Sequence, residues 1–329
     1  MRASIAGWGT AVPDHRLTNA DLERRVDTTD DWIVERTGIR ERRVAAATET
    51  TASLAIEAGT AAIKQAGITP EEVDLLIVAT ATPEQPIPHT GAFVGEGLGL
   101  RCGSFDLGAG CAGFVYELVM GAALLTASHM NHVLVIGAET LSRIVDPTDR
   151  GTCILFGDGA AAMLLEKSPD DAPGVLAWDL GCDGSAAGLL GIPAGGSRLP
   201  TTPETIAEGL QFIKMQGQEV FRRAVRAVVD SARLTLERAE LTAEDVDWFV
   251  PHQANLRIIE AAASRLKIPM DRTIVNIERY GNTSAASIPL AMSEAVDDGR
   301  ITDGDVLLLS GFGAGMTWGS AALRWGRAT

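Results

Sequence analysis

Apolar residues along the chain fall into short continuous runs that alternate with longer stretches of helical spacing. The runs occupy residues 75–79, 133–136, 160–165, 248–250 and 306–309. A run of about five apolar residues is typical of a strand that is buried on both faces. Because such strands alternate with helices, the pattern predicts an α/β fold with parallel sheets covered by helices.

The chain also resembles itself at a fixed offset. Residues 68–78 parallel residues 241–251, and at the same offset of 173 residues 132–136 align with 305–309. Each half runs from a helix through a short acidic turn into a strand. The simplest architecture is two similar α/β halves packed face to face, with sheets between helix layers. We predict a first half over residues 1–172 and a second half over residues 173–329.

A cysteine begins the most apolar helix that the sequence predicts. Between residues 112 and 128 the only charged residue is Glu117, so this helix should be buried on every side. The stretch is interrupted by glycine and shorter than the roughly 20 apolar residues of a membrane span. Backbone N–H groups at a helix N-terminus favour a thiolate, and small residues around Cys111 leave room for a substrate. Cys111 is therefore a candidate nucleophile, although a cysteine in such a helix more often only packs.

Two further segments supply partners for this cysteine. His252, in P-H-Q-A-N-L-R, directly follows a predicted strand, where open α/β sheets place their ligands. Asn282 lies in Y-G-N-T-S-A-A-S, and the internal repeat aligns A-G-C at residues 109–111 with N-T-S at residues 282–284. In a fold with an internal two-fold axis, equivalent loops can meet at one site. The glycine-rich stretch 310–319 follows a strand and offers N–H groups to an oxyanion, but it lacks dinucleotide-binding spacing.

Composition narrows the function classes. The chain has 329 residues, a net charge of −15, 46% hydrophobic and 22% charged residues, which indicates a soluble globular protein and argues against nucleic-acid binding. We expect no signal peptide, no membrane span and no metal, since the histidines are scattered. The four cysteines have no C-x-x-C or zinc spacing, which favours reduced thiols and a cytoplasmic location.

Positive charge is nevertheless concentrated locally. Four arginines follow Trp32, at positions 36, 40, 42 and 43, and three more cluster at positions 222, 223 and 226. Against an acidic background, such clusters suit a phosphate-rich ligand or an acidic protein. Solvated helix faces explain the clusters equally well.

Four segments together resemble the β-ketoacyl-acyl carrier protein synthase III family of the thiolase superfamily. They are D-L-G-A-G-C-A-G-F, P-H-Q-A-N-L-R-I, Y-G-N-T-S-A-A-S and G-F-G-A-G-M-T-W-G, in that order along the chain. The resemblance implies a five-layered αβαβα core of two pseudo-symmetric halves. It also implies a homodimer.

The resemblance further implies a decarboxylative Claisen condensation that starts type II fatty acid synthesis. Cys111 would take a short acyl group from acyl-CoA, and malonyl-acyl carrier protein would then lose CO2 and attack the thioester. His252 and Asn282 would donate to one oxyanion, and the N–H groups of Cys111 and Ala314 to another. The family usually has glycine where this chain has Ala314. No metal or cofactor is implied, because acyl-CoA is a substrate.

Binding residues carry over from the family in the same way. Those implied for coenzyme A are Thr28, Trp32, Arg36, Arg150, Gly151, Gly217, Phe221, Ala254 and Asn255. Those implied for the carrier protein are Arg222, Gln253, Ala254, Asn255, Leu256 and Arg257. Ile87 corresponds to a position that closes the acyl pocket of the neighbouring subunit, and its modest size implies an acetyl or small branched primer.

Other functions use similar residues. Papain-like proteases also use Cys, His and Asn, but their cysteine lies near the N-terminus and they have no half-chain repeat. A non-catalytic scaffold is disfavoured because Cys111, His252 and Asn282 occur together. Relatives that prime polyketide synthesis, or transfer acyl groups to alcohols, share nearly all the motifs and stay open as alternatives.

Overall fold

Two mixed β-sheets with the same strand plan form the body of the protein, in a computed structural model that describes residues 1–327. The strands are β1 (Arg2–Ala11), β2 (Arg16–Thr18), β3 (Glu41–Arg43), β4 (Leu75–Ala79), β5 (Gly103–Leu107), β6 (His132–Thr140), β7 (Asp158–Ser168), β8 (Gly174–Cys182), β9 (Leu190–Gly191), β10 (Lys214–Met215), β11 (Trp248–Pro251), β12 (Val306–Gly313) and β13 (Thr317–Arg324). The helices are α1 (Asn19–Glu23), α2 (Asp30–Thr37), α3 (Thr51–Ala66), α4 (Thr90–Leu98), α5 (Gly113–Ala127), α6 (Arg150–Cys153), α7 (Pro203–Ala207), α8 (Gly217–Arg238), α9 (Leu256–Leu266), α10 (Ile277–Tyr280) and α11 (Ser287–Asp297).

The sheets confirm the internal repeat. The first has the order β1-β7-β6-β4-β5 and the second the order β8-β13-β12-β11. An isolated parallel bridge between Phe249 and Thr273 takes the place of β5 in the second sheet. All five predicted strands are present, as β4, β6, β7, β11 and β12.

The sheets are mixed, whereas the apolar runs predicted parallel strands. In the first sheet β7 runs antiparallel to both β1 and β6, and in the second β13 runs antiparallel to both β12 and β8. Helices cover both faces of each sheet, so antiparallel strands here must also be apolar on both faces. A continuous apolar run therefore reports burial and does not report strand direction.

The helices form three layers around the sheets, which confirms the five-layered αβαβα fold. α3 and α4 cover the first sheet, while α8 and α9 cover the second. α5 and α11 lie between the sheets in a core to which both halves contribute. The predicted boundary at 172/173 falls in the link between β7 and β8, and the division into halves stays a prediction. Residues 328 and 329 of the second half lie outside the described residues.

The central helix α5 follows a short 3-10 turn at Gly110–Ala112, so Cys111 does precede the apolar helix as predicted. Burial on every side was wrong, because the two sheets leave one stripe uncovered, where Met120 is 40% exposed. By length and composition the segment Gly110–Ala127 would suffice to cross a membrane, contrary to our expectation, but most of it is buried inside the protein. It is the core helix of this fold.

Two glycines let the halves approach each other backbone to backbone. A Cβ on Gly137 in β6 would lie less than 3.0 Å from the carbonyl oxygen of Ala285, just before α11. A Cβ on Gly157 would lie equally close to the carbonyl oxygen of Tyr280. No side chain fits in either place, so these contacts bring the turn that carries Asn282 against the first half.

We predict that Gly137→Ala lowers the free energy of unfolding by about 1–3 kcal/mol, because the new methyl group overpacks a backbone contact. Gly184→Ala is the matched control, since a Cβ at Gly184 meets nothing within 4 Å. We expect the control to change stability by less than about 1 kcal/mol. Urea unfolding measures both, and equal values for the two variants would contradict the close approach.

Candidate active site

The strand ends bring the candidate residues to one region, as the internal repeat predicted. The turn containing Cys111 follows β5, and a parallel bridge pairs Phe156 with Asn282. The backbone N–H of Asn282 donates to the carbonyl of Leu155 at 2.8 Å, and its own carbonyl accepts from Gly157 at 3.0 Å. These bonds hold the asparagine turn of the second half against residues 155–157 of the first, and Ser284 of the same turn lies beside Cys111.

A cavity of about 310 Å³ extends from Cys111. Ser284 and Ala314 line the cavity together with Cys111. Its apolar walls are formed by Leu141, Ile144, Phe156, Leu190, Ile192 and Ile213. The cavity can therefore enclose a short apolar group attached to the sulfur.

Two backbone N–H groups face the cysteine turn. A Cβ on Gly313 would lie less than 3.0 Å from the backbone nitrogen of Cys111, and one on Gly110 would lie 2.9 Å from the backbone nitrogen of Ala314. The non-glycine residues with left-handed φ in residues 1–327 are Glu240, Lys267 and Ser284, so Ala314 is unstrained where the family usually has glycine. Both N–H groups therefore lie at the cysteine turn, where they can donate to an oxyanion on an acyl group attached to Cys111 Sγ.

Most of the glycine-rich stretch 310–319 lies in strands and not in a loop as predicted. β12 continues to Gly313 and β13 begins at Thr317, which leaves three residues between them. The Thr317 hydroxyl lies 2.7 Å from the Ala109 carbonyl and 3.1 Å from the Ala314 carbonyl. The strand pairing and this side chain therefore hold the Ala314 N–H against the cysteine turn.

The electrostatics at Cys111 differ from the expectation that its thiolate is favoured. Burial raises the pKa of the thiol to about 12, and the nearby Glu139 carboxylate adds to the rise, while the Ser284 hydroxyl opposes it. Burial also raises the pKa of Glu139 to about 7, against hydrogen bonds from residues such as Thr82. The resting site therefore holds a thiol, whose proton must leave as a substrate reacts.

His252 is a buried, neutral imidazole whose Nδ1 lies at hydrogen-bond distance from a serine hydroxyl. It is 2% exposed, and burial lowers its pKa to about 3. Its backbone N–H donates to Ser310 at 2.8 Å, its ring meets Phe312 edge-on at 5.5 Å, and Nδ1 lies 2.6 Å from Ser287 Oγ. Nε2 is buried and has no hydrogen-bond partner among the described residues.

Asn282 is oriented by its own turn. Its Oδ1 accepts a hydrogen bond from the backbone N–H of Ser284 at 2.9 Å, and Ser284 has a left-handed φ of 48°. Because Oδ1 is occupied, the amide NH2 is the group that can donate to a ligand.

A second group of residues lies at the proposed coenzyme end. The guanidinium of Arg36 lies 4.9 Å from the Trp32 ring centroid and that of Arg150 lies 4.7 Å from it. Asn255 Nδ2 donates to the Arg36 carbonyl at 2.9 Å, which ties α9 to α2, and the Thr28 hydroxyl is buried with no hydrogen-bond partner within residues 1–327. Gly151 and Gly217 are exposed, and Phe221 is half-buried.

Several sequence-based assignments are wrong or altered. Gln253 is 1% exposed, and its side chain donates to the carbonyls of Pro251 and Ile274 and accepts from the N–H of Asn276, which argues against a contact between this side chain and a carrier protein. Arg42, counted in a surface cluster, is fully buried and donates to Leu17, Asn19 and Ile154.

The remaining partner-facing positions differ in exposure. Ala254 is 8% exposed and Leu256 is half-buried, whereas Arg222 and Arg257 are exposed. Ile87 is 85% exposed and does not line its own chain's cavity.

Sequence reasoning missed four polar residues that support the site: Glu139, Ser284, Ser287 and Thr317. Three are hydroxyl residues, whose sequence context carries no signal of a contact made across the fold. Glu139 did offer a signal in the sequence, since it closely follows the apolar run 133–136, and the structure shows that it is 0% exposed. A carboxyl group in such a run is rarely buried without a task.

The duplicated five-layer fold with a half-buried cysteine in a cavity and a buried imidazole defines a thiolase-like acyl-transferring enzyme. The family 3-oxoacyl-[acyl-carrier-protein] synthase III matches residues 105–184, and its C-terminal part matches residues 236–325. A β-ketoacyl-[acyl-carrier-protein] synthase III of Roseiflexus castenholzii is 49% identical over 324 residues, which cover 98% of each chain.

Solved structures agree with these matches. The β-ketoacyl-[acyl carrier protein] synthase III of Thermus thermophilus is 46% identical with a TM-score of 0.92, over 99% of this chain and 100% of that one. The priming β-ketosynthase of a polyketide biosynthetic pathway is 36% identical with a TM-score of 0.91, over 99% and 97%. The chain belongs to the β-ketoacyl-acyl carrier protein synthase III family, and it is an acyltransferase.

We predict that His252 makes stability depend on pH. Its folded-state pKa of about 3 lies below the ordinary 6.5, so between these values only the unfolded chain binds the proton. Stability should fall as pH falls through this window, by at most about 1.4 kcal/mol per unit. Urea unfolding of the wild type and His252→Gln between about pH 4 and 6 gives the difference. A difference that does not change with pH would mean that the folded protein protonates His252.

Proposed function

We propose that the protein starts fatty acid synthesis by condensing a short acyl group from acyl-CoA with malonyl-acyl carrier protein. The observation that carries the proposal is the pairing of one half-buried thiol, at the cavity, with two separate donor sets. The Cys111 and Ala314 N–H groups form one set, and His252 with Asn282 forms the other. Two donor sets suit a reaction that develops negative charge on two different oxygens.

In the first half-reaction, Cys111 Sγ attacks the thioester carbonyl of acyl-CoA. The carbonyl oxygen becomes an oxyanion that the N–H groups of Cys111 and Ala314 stabilise. The C–S bond to coenzyme A then breaks, and its sulfur leaves as the thiol with the proton from Cys111. A thiol whose pKa is raised to about 12 releases its proton only as this transfer proceeds.

In the second half-reaction, the C–C bond to the carboxylate of malonyl-acyl carrier protein breaks and CO2 leaves. The electron pair moves onto the thioester oxygen, to which the neutral His252 and the amide of Asn282 donate. The resulting carbon nucleophile attacks the acyl-cysteine, the new C–C bond forms, and the thiolate of Cys111 leaves and takes a proton from water. No step requires a metal or an organic cofactor.

Exposed cations at the site entrance support the two substrates. Trp32 stacked with Arg36 and Arg150 presents an aromatic and cationic surface suited to the adenine and phosphates of coenzyme A. Arg222 and Arg257 are exposed and suit an acidic carrier protein, which the chain's net charge of −15 would otherwise repel. Thr28, Gly151, Gly217, Phe221, Ala254 and Asn255 complete the proposed coenzyme A path, and Leu256 joins Arg257 in the proposed carrier-protein contact.

The proposal also includes a cytoplasmic location, a homodimer and a role in fatty acid synthesis. Four free cysteines support a reducing, cytoplasmic location. The exposed Ile87 supports a homodimer in which this residue closes the partner's acyl pocket. Fatty acid initiation is favoured over polyketide priming because identity to a β-ketoacyl-[acyl-carrier-protein] synthase III reaches 49%, against 36% for the polyketide-priming enzyme.

The two half-reactions should be separable by mutation. Cys111→Ser should form no acyl-enzyme, because a serine hydroxyl without a strong base stays protonated. Asn282→Ala should still be acylated but should release CO2 about 10²–10³ times more slowly. Intact-protein mass spectrometry after acyl-CoA treatment reads the first step and CO2 release the second. Cys182→Ser, which removes an exposed thiol, is the control and should be acylated normally. Normal decarboxylation without acylation in Asn282→Ala would refute the assigned roles.

The primer should be acetyl or a small branched acyl group, because Ile87 of the neighbouring subunit would close the end of the acyl pocket with a side chain of modest size. Pocket size discriminates between chains by contact and exclusion. The measurement is kcat/KM across a series of acyl-CoA lengths. Faster turnover with chains of about eight carbons than with acetyl or isobutyryl would contradict this prediction.

Arg257→Glu should weaken the use of malonyl-acyl carrier protein by about tenfold while acylation by free acyl-CoA is unchanged, and it should reduce the salt dependence. Arg265→Glu is the matched control, since Arg265 is exposed at the other end of α9. Equal losses in both half-reactions would place Arg257 in the coenzyme A site or the fold instead.

A further inference from the structure

One serine side chain lies directly behind the imidazole of His252. Ser287 begins α11 and is 1% exposed. Its Oγ lies 2.6 Å from Nδ1 of His252 and 3.3 Å from the backbone nitrogen of Gln253. Within residues 1–327 these are the two polar atoms at hydrogen-bond distance from this hydroxyl.

The roles of donor and acceptor at this hydroxyl follow from its two neighbours. The backbone N–H of Gln253 can only donate, so it does not accept the Ser287 proton. Nδ1 of His252 is the remaining acceptor. If Nδ1 carried a proton instead, the Ser287 proton would be buried without a partner, which costs roughly 1–3 kcal/mol.

We infer that Ser287 is a positioning residue that sets the tautomer of His252, by donating its hydroxyl proton to Nδ1 so that Nε2 carries the imidazole proton. In a neutral imidazole one nitrogen is a donor and the other an acceptor, and the bond made by one decides the state of the other. The buried, unpartnered Nε2 then presents an N–H to the site.

The same short segment positions both proposed donors. Within residues 282–287, the Ser284 N–H occupies Oδ1 of Asn282, so the amide presents NH2, and the Ser287 hydroxyl occupies Nδ1 of His252, so the ring presents N–H. The Phe312 ring and the Ser310 carbonyl hold His252 from its other sides. A substrate oxygen would therefore meet two donors that are fixed before it arrives.

The catalytic consequence rests on the proposed function. With the wrong tautomer, Nε2 would point a lone pair at the developing oxyanion and oppose decarboxylation. Acyl transfer to Cys111 uses the other donor set and should not depend on Ser287.

The first test needs no mutation of the serine. Nitrogen-15 NMR of histidine-labelled wild-type protein distinguishes a protonated ring nitrogen from a bare one. The chain has five histidines, so the His252 signals are assigned by their loss in His252→Gln. We expect a protonated Nε2 and a bare Nδ1. A protonated Nδ1 in the wild type would overturn the inference, whatever the enzyme's activity.

The second test compares Ser287→Ala with Ser293→Ala, the matched control. Ser293 is also fully buried on α11, and its hydroxyl has no partner in the described part of the chain. We expect Ser287→Ala to lose or mix the His252 tautomer and to release CO2 from malonyl-acyl carrier protein at least tenfold more slowly, up to the 10²–10³ that an oxyanion donor contributes. Acyl-enzyme formation should stay normal. Ser287→Thr, which keeps the hydroxyl, should restore the Nε2-protonated form.

The outcomes separate the two claims. Unchanged tautomer and CO2 release in Ser287→Ala, or equal losses in Ser293→Ala, would overturn the role of Ser287. Failure of the wild type to form an acyl-enzyme would refute the proposed function, while the NMR result would still decide the tautomer.

Discussion

The active site depends on the close approach of two backbones at Gly137 and Gly157. At both positions a carbonyl group from the second half occupies the space that a Cβ would need. The turn that carries Asn282 is thereby held against the strands and turns of the first half. The duplicated fold creates one shared site because its halves touch here without side chains between them.

Burial within the site then sets the chemistry of three ionisable groups. It raises the pKa of Cys111 and of Glu139 and lowers that of His252, because removal from water disfavours the charged form of each group. At rest the site therefore holds a thiol, an uncharged imidazole and a carboxyl group whose pKa is about 7. In the proposed reaction, negative charge develops next to donors that are already oriented, which is the condition under which such donors contribute most.

The interior of the site is organised by hydrogen bonds between buried groups, whereas its entrance carries exposed cationic and aromatic side chains. Inside, hydroxyl and amide groups orient one another over distances such as the 2.6 Å between Ser287 and His252. Outside, Trp32, Arg36 and Arg150 are stacked and partly exposed, and Arg222 and Arg257 face solvent on a chain with a net charge of −15. In the proposed function, charged substrates are therefore recognised by a few local cations, while His252 is almost fully removed from water.

The sequence by itself determined the layered α/β fold, the internal repeat, and the candidates Cys111, His252 and Asn282, because burial and repetition leave direct traces in residue type and spacing. Only the tertiary structure decided strand direction, the burial of Gln253 and Arg42, and the raised pKa of Cys111. It alone also revealed the contacts of Ser287 and Thr317. Such properties depend on which groups from distant parts of the chain surround an atom, and a local sequence pattern carries no record of those neighbours.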